Sequence, residues 1–293
     1  MRSDFLDRLR ANVLVSSGGL GTNLQSKGFV LGQCTPEWCV NHPEAYQGII
    51  KTYFGIGCDV GSTSASGANR YRLKHFGLED KTEEYNIKLA RLAREVTPKG
   101  CYLAATMGTT GQLLQPLGDA TPDEIYEVYA EQAKILAKEE VDFFWALTMT
   151  DIDETCILIK AVKDNTDLPL IVSMSFDRTS KGYRTMMGVD PVTAAKKIEG
   201  AGADGVGTNC GGTSFQDATE ILRQMRENCN LPLVAKPNAG IPELREGKSV
   251  HPATPEEMAI EAPQWVSAGA RMLGGCCGTT PEYIAKLIAA IRR

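Results

Sequence analysis

No apolar run in the chain approaches the ~18 residues of a membrane-spanning helix, which argues against a membrane partner. There is no basic excess either: 36 acidic residues stand against 31 Lys and Arg, a formal net charge of −5. That balance gives no electrostatic reason to expect nucleic acid as a partner. Histidine is scarce, with three in 293 residues. None of the three (His42, His75, His251) ends an apolar run, so a histidine metal ligand or general base is not indicated. No G-x-G-x-x-G follows a strand-like run and opens a helix, and Gly18-Gly19-Leu20-Gly21 lacks the Lys-Ser/Thr of a phosphate loop. No Pro/Ser-rich linker, low-complexity tract or short repeat divides the chain. The amphipathic start Met1–Arg10 lacks the apolar centre of a secretory signal. Nine cysteines, unevenly spaced, suit reduced thiols and metal binding better than a disulfide framework. These exclusions leave the expectation of a soluble, cytoplasmic protein of enzyme size, one domain over 1–293, with room for a homo-oligomer.

What is there is an alternation. Short apolar runs at Val13–Ser17, Cys58–Thr63, Cys101–Met107, Val141–Thr148, Leu168–Ser175, Ala203–Asn209, Leu231–Pro237 and Ala268–Gly275 read as eight strands. Helical patterns lie between them, such as Glu83–Val96, with apolar residues at near-helical spacing. Thr121-Pro-Asp-Glu124 and Thr254-Pro-Glu-Glu257 combine an N-cap, a proline at the first helical position and a capping-box Glu. Thr280-Pro281-Glu282 is a weaker version. Strand–helix alternation predicts parallel strands joined by crossover helices, and eight such units predict a closed α/β barrel, the (β/α)8 or TIM-barrel fold. Chemistry on such a barrel belongs at the C-terminal ends of the strands. The unusual residues gather there: glycines after strand one, cysteines after strands six and eight, and Lys236-Pro-Asn-Ala-Gly240 after strand seven.

The adjacent pair Cys276-Cys277, set among Gly274, Gly275 and Gly278, is the most informative stretch. Neighbouring side chains at a strand end normally face opposite ways. Flanking glycines free the backbone to bring both sulfurs to one point. With Cys210 from the end of strand six, the pair offers three thiolates and an open fourth position, the pattern of a catalytic zinc site. Zinc with three thiolates carries a net charge of −1 and is a poor activator of water. It suits a bound substrate thiolate that stays nucleophilic towards an alkyl carbon. Cys210, Cys276 and Cys277 are therefore the expected metal ligands and catalytic residues. Cys58 and Cys101 read as core, Cys34 and Cys39 as loop residues, and Cys156 and Cys229 as members of helices.

At Gly274-Gly-Cys-Cys-Gly-Thr-Thr-Pro-Glu282, Asn209-Cys210, Pro237-Asn-Ala-Gly240 and Gly67-Ala-Asn-Arg70 the chain resembles the homocysteine S-methyltransferase family, which includes the betaine-dependent enzymes and the homocysteine module of cobalamin-dependent methionine synthase. The resemblance runs through nearly the whole chain and implies a (β/α)8 barrel with zinc on Cys210, Cys276 and Cys277. It also shows departures. Family members carry acids that hold the substrate's amino group where this chain has Ser17, Ser62 and Leu147. The expectation is a zinc-dependent methyltransferase moving a methyl group between a small substrate and a thiol, or a corrinoid carried by a partner protein. The chain has no Asp-x-His-x-x-Gly corrinoid motif of its own. Gly18, Gly19, Thr22, Thr148, Asn209 and Asn238 are the expected substrate contacts. Two alternatives stand beside this: methionine formation from homocysteine, with Asp151, Asp153 or Glu154 replacing the missing acids, and a non-catalytic barrel subunit.

Overall fold

The computed structural model describes residues 4–245 and 248–292. Its core is eight parallel strands: β1 (Leu14–Val15), β2 (Val60–Ser62), β3 (Tyr102–Met107), β4 (Phe143–Met149), β5 (Leu170–Met174), β6 (Gly205–Asn209), β7 (Leu233–Lys236) and β8 (Ala270–Leu273). Their order, β1-β8-β7-β6-β5-β4-β3-β2, follows the chain around a ring, and a bridge between Ser16 and Val60 joins its two ends. The fold is a (β/α)8 barrel. Seven of the strands lie within the runs their apolar patterns predict, and β4 extends one residue beyond its run, to Met149.

Period-two alternation explains how both faces become core. Tyr102, Ala104, Phe143, Trp145, Ile171 and Val234 point inward and fill the barrel. Leu103, Ala105, Phe144, Ala146 and Val172 point outward under the helices. The short helix Phe5–Ala11 plugs the N-terminal end, with Phe5 stacked on Phe143 at 3.8 Å between ring centres. The same end carries a repeated device. Asp59, Asp142 and Asp204 each stand just before an even strand and accept the N–H of Val15, Leu103 and Leu170 on the preceding odd one, at 2.7–2.8 Å. Each also meets a cation: Arg292, Arg94 and Lys163 respectively.

The helices begin where their caps predict. Thr121, Ser214 and Thr254 all form reciprocal capping boxes, whereas Thr280 starts its helix with no side-chain cap bond. The expectation differs from the structure at three places. Cys34 and Cys39 belong to a helix, Thr35–Asn41, with Cys34 as its N-cap. Cys229 lies beyond the end of the helix Phe215–Arg226. Two antiparallel hairpins, Asp177–Thr179 with Gly182–Arg184 and Glu243–Arg245 with Lys248–Val250, rise from the loops after β5 and β7. Among the described residues no helix is long and apolar enough to cross a membrane.

Candidate functional site

Two sharp turns build the site. β6 ends at Asn209, and the chain bends away through Cys210 (φ 56°) and Gly211 (φ 80°), both left-handed. A side chain on Gly211 would collide with the Phe176 carbonyl, so the turn requires glycine there. β8 ends at Leu273 and runs through Gly274 and Gly275 into Cys276 and Cys277, then turns at Gly278 (φ 79°). The end of β7 laces the two turns together. Pro237 O accepts from Cys276 N at 2.8 Å, and Asn238 Oδ1 accepts from Cys277 N at 3.0 Å. Asn238 Nδ2 donates to Gly211 O at 2.9 Å. Thr279 Oγ1 donates to Cys276 O (2.6 Å) and accepts from Gly19 N (2.9 Å), binding the glycine turn after β1 to the same unit.

The three sulfurs of Cys210, Cys276 and Cys277 all lie within 4.8 Å of one another, the only such His/Cys/Asp/Glu group among the described residues. Cys210 and Cys276 are in disulfide contact with their Cα atoms 5.7 Å apart. Cys277 Sγ lies 4.0 Å from Cys210 Sγ. Tetrahedral zinc, with Zn–S bonds of about 2.3 Å, needs sulfurs roughly 3.8 Å apart. The cluster therefore fits a soft cation once the Cys210–Cys276 pair is reduced, because thiolates and not a disulfide are the ligands. The remaining thiols differ. Burial pushes Cys39 and Cys58 up to about 12, which leaves them protonated and inert.

Polar groups underlie the cluster. Asn209 Nδ2 donates to Thr148 Oγ1 at 2.7 Å and approaches Cys276 Sγ at 3.8 Å, while its Oδ1 accepts from Thr148 N at 2.7 Å. Thr148 itself is held at φ 58°. Lys236, 7 % exposed, closes the floor. Its Nζ donates to Gly275 O and Ser17 O, with Gly18 O at 3.5 Å, so one ammonium ties the ends of β1, β7 and β8. Burial lowers this ammonium from 10.5 to about 8, against the pull of the Cys58 and Cys277 sulfurs. Burial raises the Cys277 thiol, and Lys236 draws it back down. Sequence reasoning gave Lys236 no role. Its only signal was a lysine closing an otherwise apolar run.

A cavity of about 720 Å3 opens above the strand ends and reaches Cys276. Gly18, Gly19, Thr148 and Asn209 line it. Thr22 and Asn238 lie outside its lining and brace the cysteine turns instead, Thr22 Oγ1 accepting from Gly278 N at 2.9 Å. Ser17, Ser62 and Leu147 all face the cavity, and no Asp or Glu lines it among the described residues. Asp151, Asp153 and Glu154 are committed elsewhere. Asp151 caps the helix Ile152–Asn165, and Asp153 pairs with Lys197. Glu154 is buried and accepts from Thr110 N, Thr110 Oγ1 and the Tyr129 hydroxyl at 2.6–2.8 Å.

The family model described as homocysteine S-methyltransferase matches residues 14–291. A methionine synthase of Mycobacterium leprae is 26% identical over 309 residues, covering 99% of this chain and 25% of that protein. Betaine–homocysteine S-methyltransferase 1 of Rattus norvegicus is 27% identical over 304 residues, covering 95% of this chain and 72% of the relative. This chain thus spans about a quarter of the length of the methionine synthases it matches. Among solved structures, the metallated homocysteine methyltransferase MmuM of Escherichia coli superimposes with a TM-score of 0.79 at 21% identity, covering 96% of this chain and 99% of that one. That likeness concerns the fold. With the family model running from the first barrel strand to the last helix, the chain belongs to the homocysteine S-methyltransferase family.

Proposed function

We propose that the barrel, taken as one unit over 1–293, is a zinc-dependent methyltransferase. It moves a methyl group between a small substrate in the cavity and a thiol, or a corrinoid delivered by a partner protein. The observation that carries this reading is the convergence of Cys210, Cys276 and Cys277 beside a cavity that Cys276 lines. These cysteines would hold the metal, and a reducing, cytoplasmic setting would keep them available as thiols. A bound zinc ion supplies one thing: it keeps a substrate thiol deprotonated at neutral pH, where a free thiol with pKa ~8.5 is mostly protonated.

The rest of the work belongs to the protein's own residues. Asn209 steadies Cys276 Sγ by its amide N–H and fixes the left-handed Thr148 backbone that edges the cavity. Asn238 holds both cysteine turns at once, so the sulfurs are set by backbone geometry and not by side-chain freedom. Lys236 places a positive charge beneath a cluster that becomes anionic when its thiols ionise. The catalytic demand on the protein is orientation of sulfur and methyl carbon in line, which a pre-set floor supplies without rearrangement.

A second reading is methionine formation from homocysteine, favoured by the names of the relatives. The acid-free cavity lining weighs against it, because an ammonium buried without a partner costs several kcal/mol. Zinc content of reduced wild type and Cys276→Ser, with homocysteine titrated into the zinc-loaded protein, separates the readings. One zinc per chain, lost in the variant, supports the metal site. Weak homocysteine binding then favours another substrate, and tight binding favours methionine formation. A zinc-free wild type under reducing, metal-supplied conditions refutes the mechanism.

A further inference from the structure

The wall of the cavity built by the ends of β2 and β3 differs in charge from the sulfur wall. Arg72 and His75 line it, and Lys236 lies on the floor, with no carboxylate facing them among the described residues. Arg72 sits in the short helix Arg70–Lys74. Its neighbour Arg70 is fully used, gripping Glu131 with two parallel N–H···O bonds. Arg72 has no acidic partner among the described residues. Its guanidinium lies against Gly111, where an added Cβ would come 2.9 Å from Nη1. Gly111 at φ 77° therefore leaves the arginine space at the cavity's edge.

Ser64 lies on the same wall, but its Oγ is enclosed against the Tyr46 hydroxyl and is not presented to the cavity. A planar guanidinium that is always charged, facing a cavity that no carboxylate lines among the described residues, suits an oxyanion.

We propose that Arg72 forms an anion subsite, and that the cavity selects a small thiol bearing a carboxylate or similar oxyanion and no ammonium. The selection rests on the thiol-binding reading above. Its chemical logic is complementary: the wall offers donors to an anion, and neither Ser17, Ser62 nor Leu147 offers a charge to a cation.

Homocysteine and 4-mercaptobutyrate differ only in the ammonium, and 3-mercapto-1-propanol is a neutral thiol of similar length. Each is titrated by calorimetry into reduced, zinc-loaded wild type, Arg72→Ala and Arg72→Lys. The expected result is that 4-mercaptobutyrate binds at least roughly tenfold more tightly than homocysteine, the scale of one unpaired charge. Arg72→Ala loses about tenfold for 4-mercaptobutyrate and nothing for the neutral thiol, and Arg72→Lys regains part of the loss. Homocysteine binding as tightly as its des-amino analogue overturns the selection. An Arg72→Ala effect that is absent, or equal for charged and neutral thiols, overturns the subsite. If no thiol binds wild type at all, the thiol reading fails. Butyrate then decides the subsite alone: binding that Arg72→Ala weakens upholds it, and no binding overturns it too.

Discussion

At the scale of single residues, Asn209 carries the most varied load. Its amide joins the end of β4 to the end of β6 and reaches a sulfur. Asn209→Ala leaves the Thr148 N–H without a partner in a part-buried position, at a cost of about 1–3 kcal/mol. It also removes the donor behind Cys276, for which outer ligand-shell losses of about 10–100-fold in metal affinity are typical. Urea unfolding of the metal-free protein and zinc competition against a chelator measure the two effects separately. Unchanged zinc affinity in the variant would show that the Asn209–Cys276 contact is incidental. The cysteines were legible in the sequence because adjacency between glycines is itself unusual. The residues beneath them were not. Lys236 and Thr279 act through backbone carbonyls and N–H groups brought together from opposite ends of the chain, and no local pattern marks such partners.

At the scale of elements, the helix Phe215–Arg226 begins directly after the Cys210 turn, and Asp217 fastens that start to the hairpin over 177–184. Asp217 closes a capping box with Ser214 and accepts from the Tyr183 hydroxyl at 2.8 Å. Burial raises its carboxyl, but the bonds from Ser214 and Tyr183 and the nearby Arg178 outweigh this and leave it below its usual 3.8. A carboxyl lowered on folding adds stability that is complete above the unfolded value, about 3.9, and is lost as pH falls through the folded one. Stability measured from pH 6 down to pH 2 should therefore fall less steeply in Asp217→Asn than in wild type. At pH 7 the variant should be less stable by about 1–2 kcal/mol. The barrel strands and the capped helices were legible because hydrophobic period and N-cap chemistry are local signals. The two hairpins were not. Asp177–Thr179, for example, is short, polar and exposed and has no apolar alternation to mark it. Its Asp177 Oδ1 accepts from Gly212 N at 2.6 Å beside the Cys210 turn, a contact that no local pattern signals.

At the scale of the molecule, the barrel is stitched in pairs. Asp59, Asp142 and Asp204 join β1 to β2, β3 to β4 and β5 to β6 by the same side-chain bond. Each takes the N–H of a residue that lies before or at the start of its strand's ladder. Replacing Asp142 or Asp204 by Ala should cost about 1–3 kcal/mol each. Because the two serve different strand pairs, the double variant should be additive within about 0.5 kcal/mol, as urea titration would measure. Strong non-additivity would mean that the ring responds as one body. The order of strands has a further consequence for how the protein is made. The three clustered sulfurs come from the turn after β6 and from the turn after β8, 66 residues apart for Cys210 and Cys276. A chain emerging from the ribosome therefore offers a lone thiol at Cys210 until the last strand has been translated, and three together only when the ring can shut. If these thiols hold the metal as proposed, metal loading would report completed synthesis: a truncated product stopping short of Cys276 would carry most of the barrel and no means of holding the ion.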